Sequence, residues 1–149
     1  MPAAALALAA GLFASCTKTI VQDCPYTIKT VAIDVPQEAW QYSNFENNNY
    51  FYATVSMPEL NQTAFKSGMI KMYRVFDAKL KTEYQMELPF TRHNERMDIM
   101  GEKYYFTETI DYDFGVGDVN IYYTLNNFIY EDDWEFIPDP MNFRLVIMY

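Results

Sequence analysis

The chain is predicted to fold as an all-β protein, an antiparallel β-sandwich of Ig-like or Greek-key type with about seven short strands and at most one short helix. Three observations predict it. Short stretches rich in Val, Ile, Thr, Tyr and Phe alternate apolar with polar residues, which is the period of a half-buried strand. Pro, Gly, Asn and Asp interrupt these stretches at intervals of roughly 10 residues, with no alternating helical segments, and so a parallel α/β fold is excluded. Half of the residues are hydrophobic and 17% are aromatic, with 13 Tyr and 11 Phe, a composition that favours strands and is too apolar for disorder. No repeat of fixed period recurs.

Taken in order, the chain begins with an apolar run from Ala3 to Ala14 that ends Leu12-Phe13-Ala14-Ser15-Cys16. It is far short of the ~20 residues that cross a bilayer as a helix, but suits the apolar region of a secretory signal. Small residues directly before a cysteine resemble a bacterial lipobox, in which Cys16 is diacylglycerol-modified and becomes the new N-terminus after cleavage. The alternative is an ordinary secretory signal cut near Ala14, with Cys16 free to pair with Cys24. Met1-Pro2 carries no Lys or Arg where a signal should be positive, so the true start is expected upstream. The chain is thus divided into a lipoprotein signal peptide (1–15), a tether (16–25) and a single sandwich domain (26–149), long enough to bury a core.

In the domain, Tyr26 to Val35 reads as a strand stopped by Pro36. Gln37 to Asn49 reads as a turn or loop, because Asn47-Asn48-Asn49 favour turns; Trp40 within it is expected in the core. Tyr50 to Met57 alternates cleanly, with Phe51, Ala53, Val55 and Met57 toward the core. After Pro58, Leu60, Ala64 and Phe65 suggest a short helical turn closed by Gly68. Met69 to Phe76 resumes period two, with Ile70, Met72, Arg74 and Phe76 on one face and Met69, Lys71, Tyr73 and Val75 on the other. Residues 77–83 form a charged connector, and Tyr84 to Leu88 a short strand that Pro89 ends or confines to an edge. Thr91 to Gly101 is the most polar stretch and is read as a loop. Tyr104 to Tyr112 is a strand with Tyr104, Phe106, Ile110 and Tyr112 on one side. The glycines of Asp113-Phe114-Gly115-Val116-Gly117-Asp118 turn it back as a hairpin into Val119 to Leu125. Asn126 to Pro140 is a loop rich in acids and aromatics, and Phe143 to Tyr149 is a last strand, read as a candidate edge for pairing with a partner.

A net charge of −9 argues against nucleic acid, whose phosphates call for clustered Lys and Arg, and against peripheral binding to anionic lipid. A covalent anchor would then be the membrane contact. With two cysteines a disulfide scaffold is excluded, and lipidation of Cys16 would leave Cys24 as a lone thiol.

The lipobox-like end, Gly68-Met69-Ile70-Lys71-Met72-Tyr73, the Leu88-Pro89 pair, Asp118-Val119-Asn120-Ile121 and the closing Phe143-Arg144-Leu145-Val146-Ile147 resemble small lipoproteins of gut Bacteroidetes over nearly the whole chain. The resemblance implies a compact β-sandwich on the cell envelope, lipid-anchored at the outer membrane, and carries over no catalytic or binding residue. Thr17-Lys18-Thr19 lacks the acidic cluster that often follows the cysteine of surface-exported members, which leaves periplasmic and surface faces both open.

Chemistry-bearing constellations are sparse. His93, the single histidine, has no nucleophile elbow beside it and is read as an exposed loop residue. One histidine and one available cysteine do not make a zinc site, and no cofactor is expected. Acidic pairs such as Asp111 with Asp113, or Glu131, Asp132, Asp133 and Glu135, lack a discriminating glycosidase spacing. Asp111, Asp113 and Asp118, or Asp132, Asp133 and Asp139, are loop-borne oxygen donors of the kind calcium takes, without an EF-hand pattern. Tyr122, Tyr130, Trp134 and Phe136 form the candidate ligand-binding set, a platform on which sugar rings would stack with acids and Asn as hydroxyl partners. The expectation is therefore a binding or structural module and not an enzyme. Its partners would be the membrane through the N-terminal lipid and a glycan or an envelope protein, with adhesion or assembly through a sheet edge as the alternative.

Overall fold

The structure, a computed structural model, describes residues 26–45, 48–97, 100–126 and 137–149. Nine strands form two antiparallel sheets: β1 (Ile28–Val35), β2 (Gln41–Phe45), β3 (Asn48–Ser56), β4 (Met69–Phe76), β5 (Tyr84–Glu87), β6 (Phe90–Met97), β7 (Lys103–Phe114), β8 (Asp118–Leu125) and β9 (Met141–Met148). The first sheet runs β1-β9-β4-β5 and the second β2-β3-β8-β7-β6. In the second, the hairpin-connected β6, β7 and β8 have β3 laid back beside β8, a Greek-key arrangement. A helix of six residues, α1 (Gln62–Ser67), and a 3-10 turn (Gln37–Ala39) complete the elements among the described residues.

The two sheets face each other across one apolar cluster. Ile33, Met72, Phe143 and Leu145 come from the first sheet; Phe51, Ile110 and Ile121 come from the second. Alternation places them there. On β9 the burial pattern is strictly period two, and Met141, Phe143, Leu145 and Ile147 all point inward. On β4, where either face was open in the sequence, Ile70 and Met72 are buried in the core and Val75 is buried on the other face. Phe51, Ala53 and Met57 are buried as expected, as is Trp40.

Several expectations are corrected. The stretch 37–49 is not all loop, since β2 pairs with β3 from Gln41↔Tyr52 to Phe45↔Asn48; its polar side chains hide a strand whose ladder is supplied by the neighbour. Nor is 91–101 a loop: β6 pairs with β7 from Phe90↔Ile110 to Met97↔Lys103, and His93 sits on that strand, exposed, 2.8 Å through Nδ1 from Thr107 Oγ1. These two strands raise the number from about seven to nine. The last strand is no edge, because β9 lies between β1 and β4; the edges are β1, β5, β2 and β6.

Phe65 is 42% exposed and Tyr104 equally so, so neither joins the core. At α1, Asn61 caps the N-terminus by accepting from the amides of Thr63 and Ala64 at 3.0 and 2.9 Å. Gly68 closes the helix with φ −85, an ordinary conformation, so glycine is needed there for another reason. A Cβ at this position would lie 2.4 Å from the carbonyl oxygen of Ala64. The β7–β8 hairpin turns as predicted, with Gly117 at φ +91, and its tip is tied to the β3–α1 connection by Met57 N–H donating to Gly117 O and Gly117 N–H donating to Leu60 O.

Candidate functional site

Beside edge strand β6 the two sheets stand apart, and a cleft of about 180 Å³ opens between them. Its walls follow from strand parity. Phe90 of β6 is buried, so Arg92, Asn94 and Arg96 share its inward side. On β7 the inward row is Phe106, Glu108 and Ile110, all buried. The opposite sheet contributes Arg74 and Phe76 from β4 and Met141 from β9. Three of the four arginines in the chain thus line one cleft of a protein with net charge −9.

Glu108 is the one buried charged residue among those described, 7% exposed. The ladder sets it opposite Arg92. Arg92 Nη2 stands 2.6 Å from Oε1, and Tyr123 of β8 donates its hydroxyl to Oε2 at 2.9 Å. Both carboxylate oxygens are therefore held, as burial of a charge requires.

Arg74 is solvated differently. Its Nη1 donates to the carbonyls of Val75 and Asn142, each at 3.0 Å. Its guanidinium lies over Phe76 and Phe143, at 4.9 and 5.4 Å from the ring centroids. No carboxylate among the described residues reaches salt-bridge distance of it. Burial lowers its pKa from the usual arginine value, an effect that nearby Glu108 opposes and Arg92 reinforces. Arg92 also approaches Phe76, at 5.9 Å, so one ring carries a guanidinium from each sheet. Arg96 lies over Phe106 at 5.3 Å. Deep in the same wall, Asn94 Nδ2 is buried with no hydrogen-bond partner among the described residues. At the rim, Glu95 is paired with Lys103 at 2.7 Å, and Asp139 is exposed.

Of these cleft residues Asp139 alone was named from the sequence, as a calcium-type oxygen donor with Asp132 and Asp133; the others were not singled out as binding residues. The available signal was parity, which for β4 left either face open. Arg74 falls between Met72 and Phe76, and Glu108 between Phe106 and Ile110, each on the buried side of its strand.

Of the sequence candidates, Tyr122 lies on the outer face of the second sheet, away from the cleft. It donates to Asp113 Oδ2 at 2.7 Å, and its ring is 5.7 Å from Tyr50, which in turn is 6.2 Å from Tyr52. Partial burial, together with the Asp113 carboxylate that accepts its proton, pushes its pKa up to about 12. Asp113 also accepts from Asn120 Nδ2 at 2.8 Å, while Asp111 accepts from the Tyr112 amide. Among the described residues no group of three His, Cys, Asp or Glu side chains has the arrangement of a metal site, and so Asp111, Asp113 and Asp118 are not gathered into one. Tyr130, Trp134 and Phe136 lie outside the described residues, as do Cys16, Cys24, Glu131, Asp132, Asp133 and Glu135. Among the described residues no helix is long and apolar enough to cross a membrane.

Compared with protein-family models, curated proteins and solved structures, the chain matches none of them.

Proposed function

We propose that this protein is a lipid-anchored binding module of the cell envelope, not an enzyme, and that its ligand enters the cleft between the sheets. The anchor rests on Ala14-Ser15-Cys16 after an apolar run and on the resemblance to Bacteroidetes lipoproteins. The binding half rests on one observation: a cleft in which arginines from both sheets meet over the ring of Phe76, beside a carboxylate held by Arg92 and Tyr123. Inward charges also protect an edge strand from pairing with another chain. That role accounts for a charge on β6, but not for Arg74, which reaches the cleft from the opposite sheet.

The experiment has two readouts. Cells fed a palmitate analogue should label the wild-type protein and leave Cys16→Ala unlabelled; an unlabelled wild type, or label surviving the substitution, overturns the anchor. Purified protein screened against small metabolites by thermal unfolding should be stabilised by its ligand, by about 2.7 kcal/mol at a hundredfold excess over Kd. Asn94→Trp, which fills the cleft, should abolish that shift. A ligand that stabilises this variant as well as wild type binds elsewhere, and the cleft reading then falls.

A further inference from the structure

We propose that the cleft selects a small organic monocarboxylate, whose oxygens are taken by Arg74 and Asn94 beside the Arg92–Glu108 pair; this rests on the cleft being the binding site. Charge is the first reason. Arg92 is paired with Glu108 and Glu95 with Lys103, whereas Arg74 has no carboxylate at salt-bridge distance among the described residues, which leaves its positive charge to be balanced. A monoanion balances it. A phosphomonoester brings about −1.5 to −2 charges at neutral pH and overshoots beside a carboxylate. A neutral sugar leaves Arg74 without an anion.

The donors are the second reason. Arg74 uses only Nη1 within the protein, and its remaining N–H groups make no hydrogen bond among the described residues. A guanidinium presents those donors in a planar fork that matches a carboxylate. Asn94 Nδ2 is buried and unmatched among the described residues, and a buried donor left without an acceptor is a standing cost. Both line the same cleft.

Size is the third. A volume of about 180 Å³ is close to the ~150 Å³ of a cavity that takes up a benzene ring. It admits one small ring or a short chain.

The test is isothermal titration of the purified protein with lactate, benzoate and glucuronate, and with glucose and inorganic phosphate for comparison. At least one monocarboxylate should bind, with glucose and phosphate tenfold weaker or more. Arg74→Gln and Asn94→Asp should each weaken that binding at least tenfold, the loss expected for a charge-assisted hydrogen bond. Should Arg74→Gln fail to fold, Asn94→Asp decides, because the nitrogen it replaces has no bond to lose among the described residues. Glucose or phosphate binding as tightly in the cleft, or both variants matching wild type, overturns the carboxylate assignment and leaves the binding module standing. No binding by any probe at millimolar concentration, while the metabolite screen still finds a cleft ligand, also overturns the assignment alone; no cleft ligand in either experiment removes both.

Discussion

Replacing Glu108 by alanine removes the acceptor from Arg92 and from the Tyr123 hydroxyl at once. Arg92 is about half exposed, with 48% side-chain accessibility, and recovers water, whereas Tyr123 is buried at 3% exposure. The expected loss is about 2–3 kcal/mol, below that of a fully buried pair, with Glu108→Gln losing less because it still accepts from Tyr123; urea denaturation of the two variants measures the difference, and equal stability of all three proteins would show that the pair is not structural. Tyr122 offers a test in pH. Its folded pKa of about 12 lies above the ordinary phenol value of 10.0, so the folded state holds the proton longer than the unfolded chain. The stabilisation is complete below pH 10 and is lost as the pH climbs through about 12. Wild type should therefore lose stability more steeply than Tyr122→Phe across that window, and parallel slopes in denaturation series would sink the assignment. At this scale Glu108 was legible by parity, while Arg74 was not, because either face of β4 was open in the sequence, and neither was Asn94: whether an amide is satisfied depends on what lies across the cleft, and no local pattern carries that.

At the scale of the element, α1 shows how a correct boundary can have a different cause from the expected one. Gly68 ends the helix, yet with φ −85 any residue could take its backbone shape. What excludes a side chain is the carbonyl of Ala64 at 2.4 Å and that of Met148 at 3.1 Å from a Cβ. Both obstacles are backbone, so Gly68→Ala must shift α1 against β9. A cost of about 1–3 kcal/mol follows, visible as a lowered melting temperature; an unchanged one would mean that the helix end yields freely. The strands missed from sequence, β2 and β6, are both edges. Edge strands have one neighbour and little burial, so their side chains need not alternate in polarity. β6 departs furthest, since Arg92, Asn94 and Arg96 stand on its inward side.

For the whole molecule, the period-two pattern, the prolines and the glycine turn were enough to read an antiparallel sandwich from the sequence, because a strand's faces and a hairpin's turn are set by neighbours within a few residues. The faces of β3 and β9 and the β7–β8 hairpin were legible for that reason. Which strand lies beside which was not. β9 sits between β1 and β4, joining residues as far apart as Ile28 and Met148, and this interior place removes it as an edge for a partner. The cleft has the same origin. Arg74 and Glu108 belong to different sheets and are separated by the whole of β5 and β6; only the packing of one layer on the other brings a second guanidinium to the ring of Phe76. By itself, then, the sequence determined the fold class, most strand faces and the turns, all local matters of backbone and alternation. The tertiary structure decided the edges, the buried acid and the cleft, because these depend on long-range pairing that no short window of residues contains.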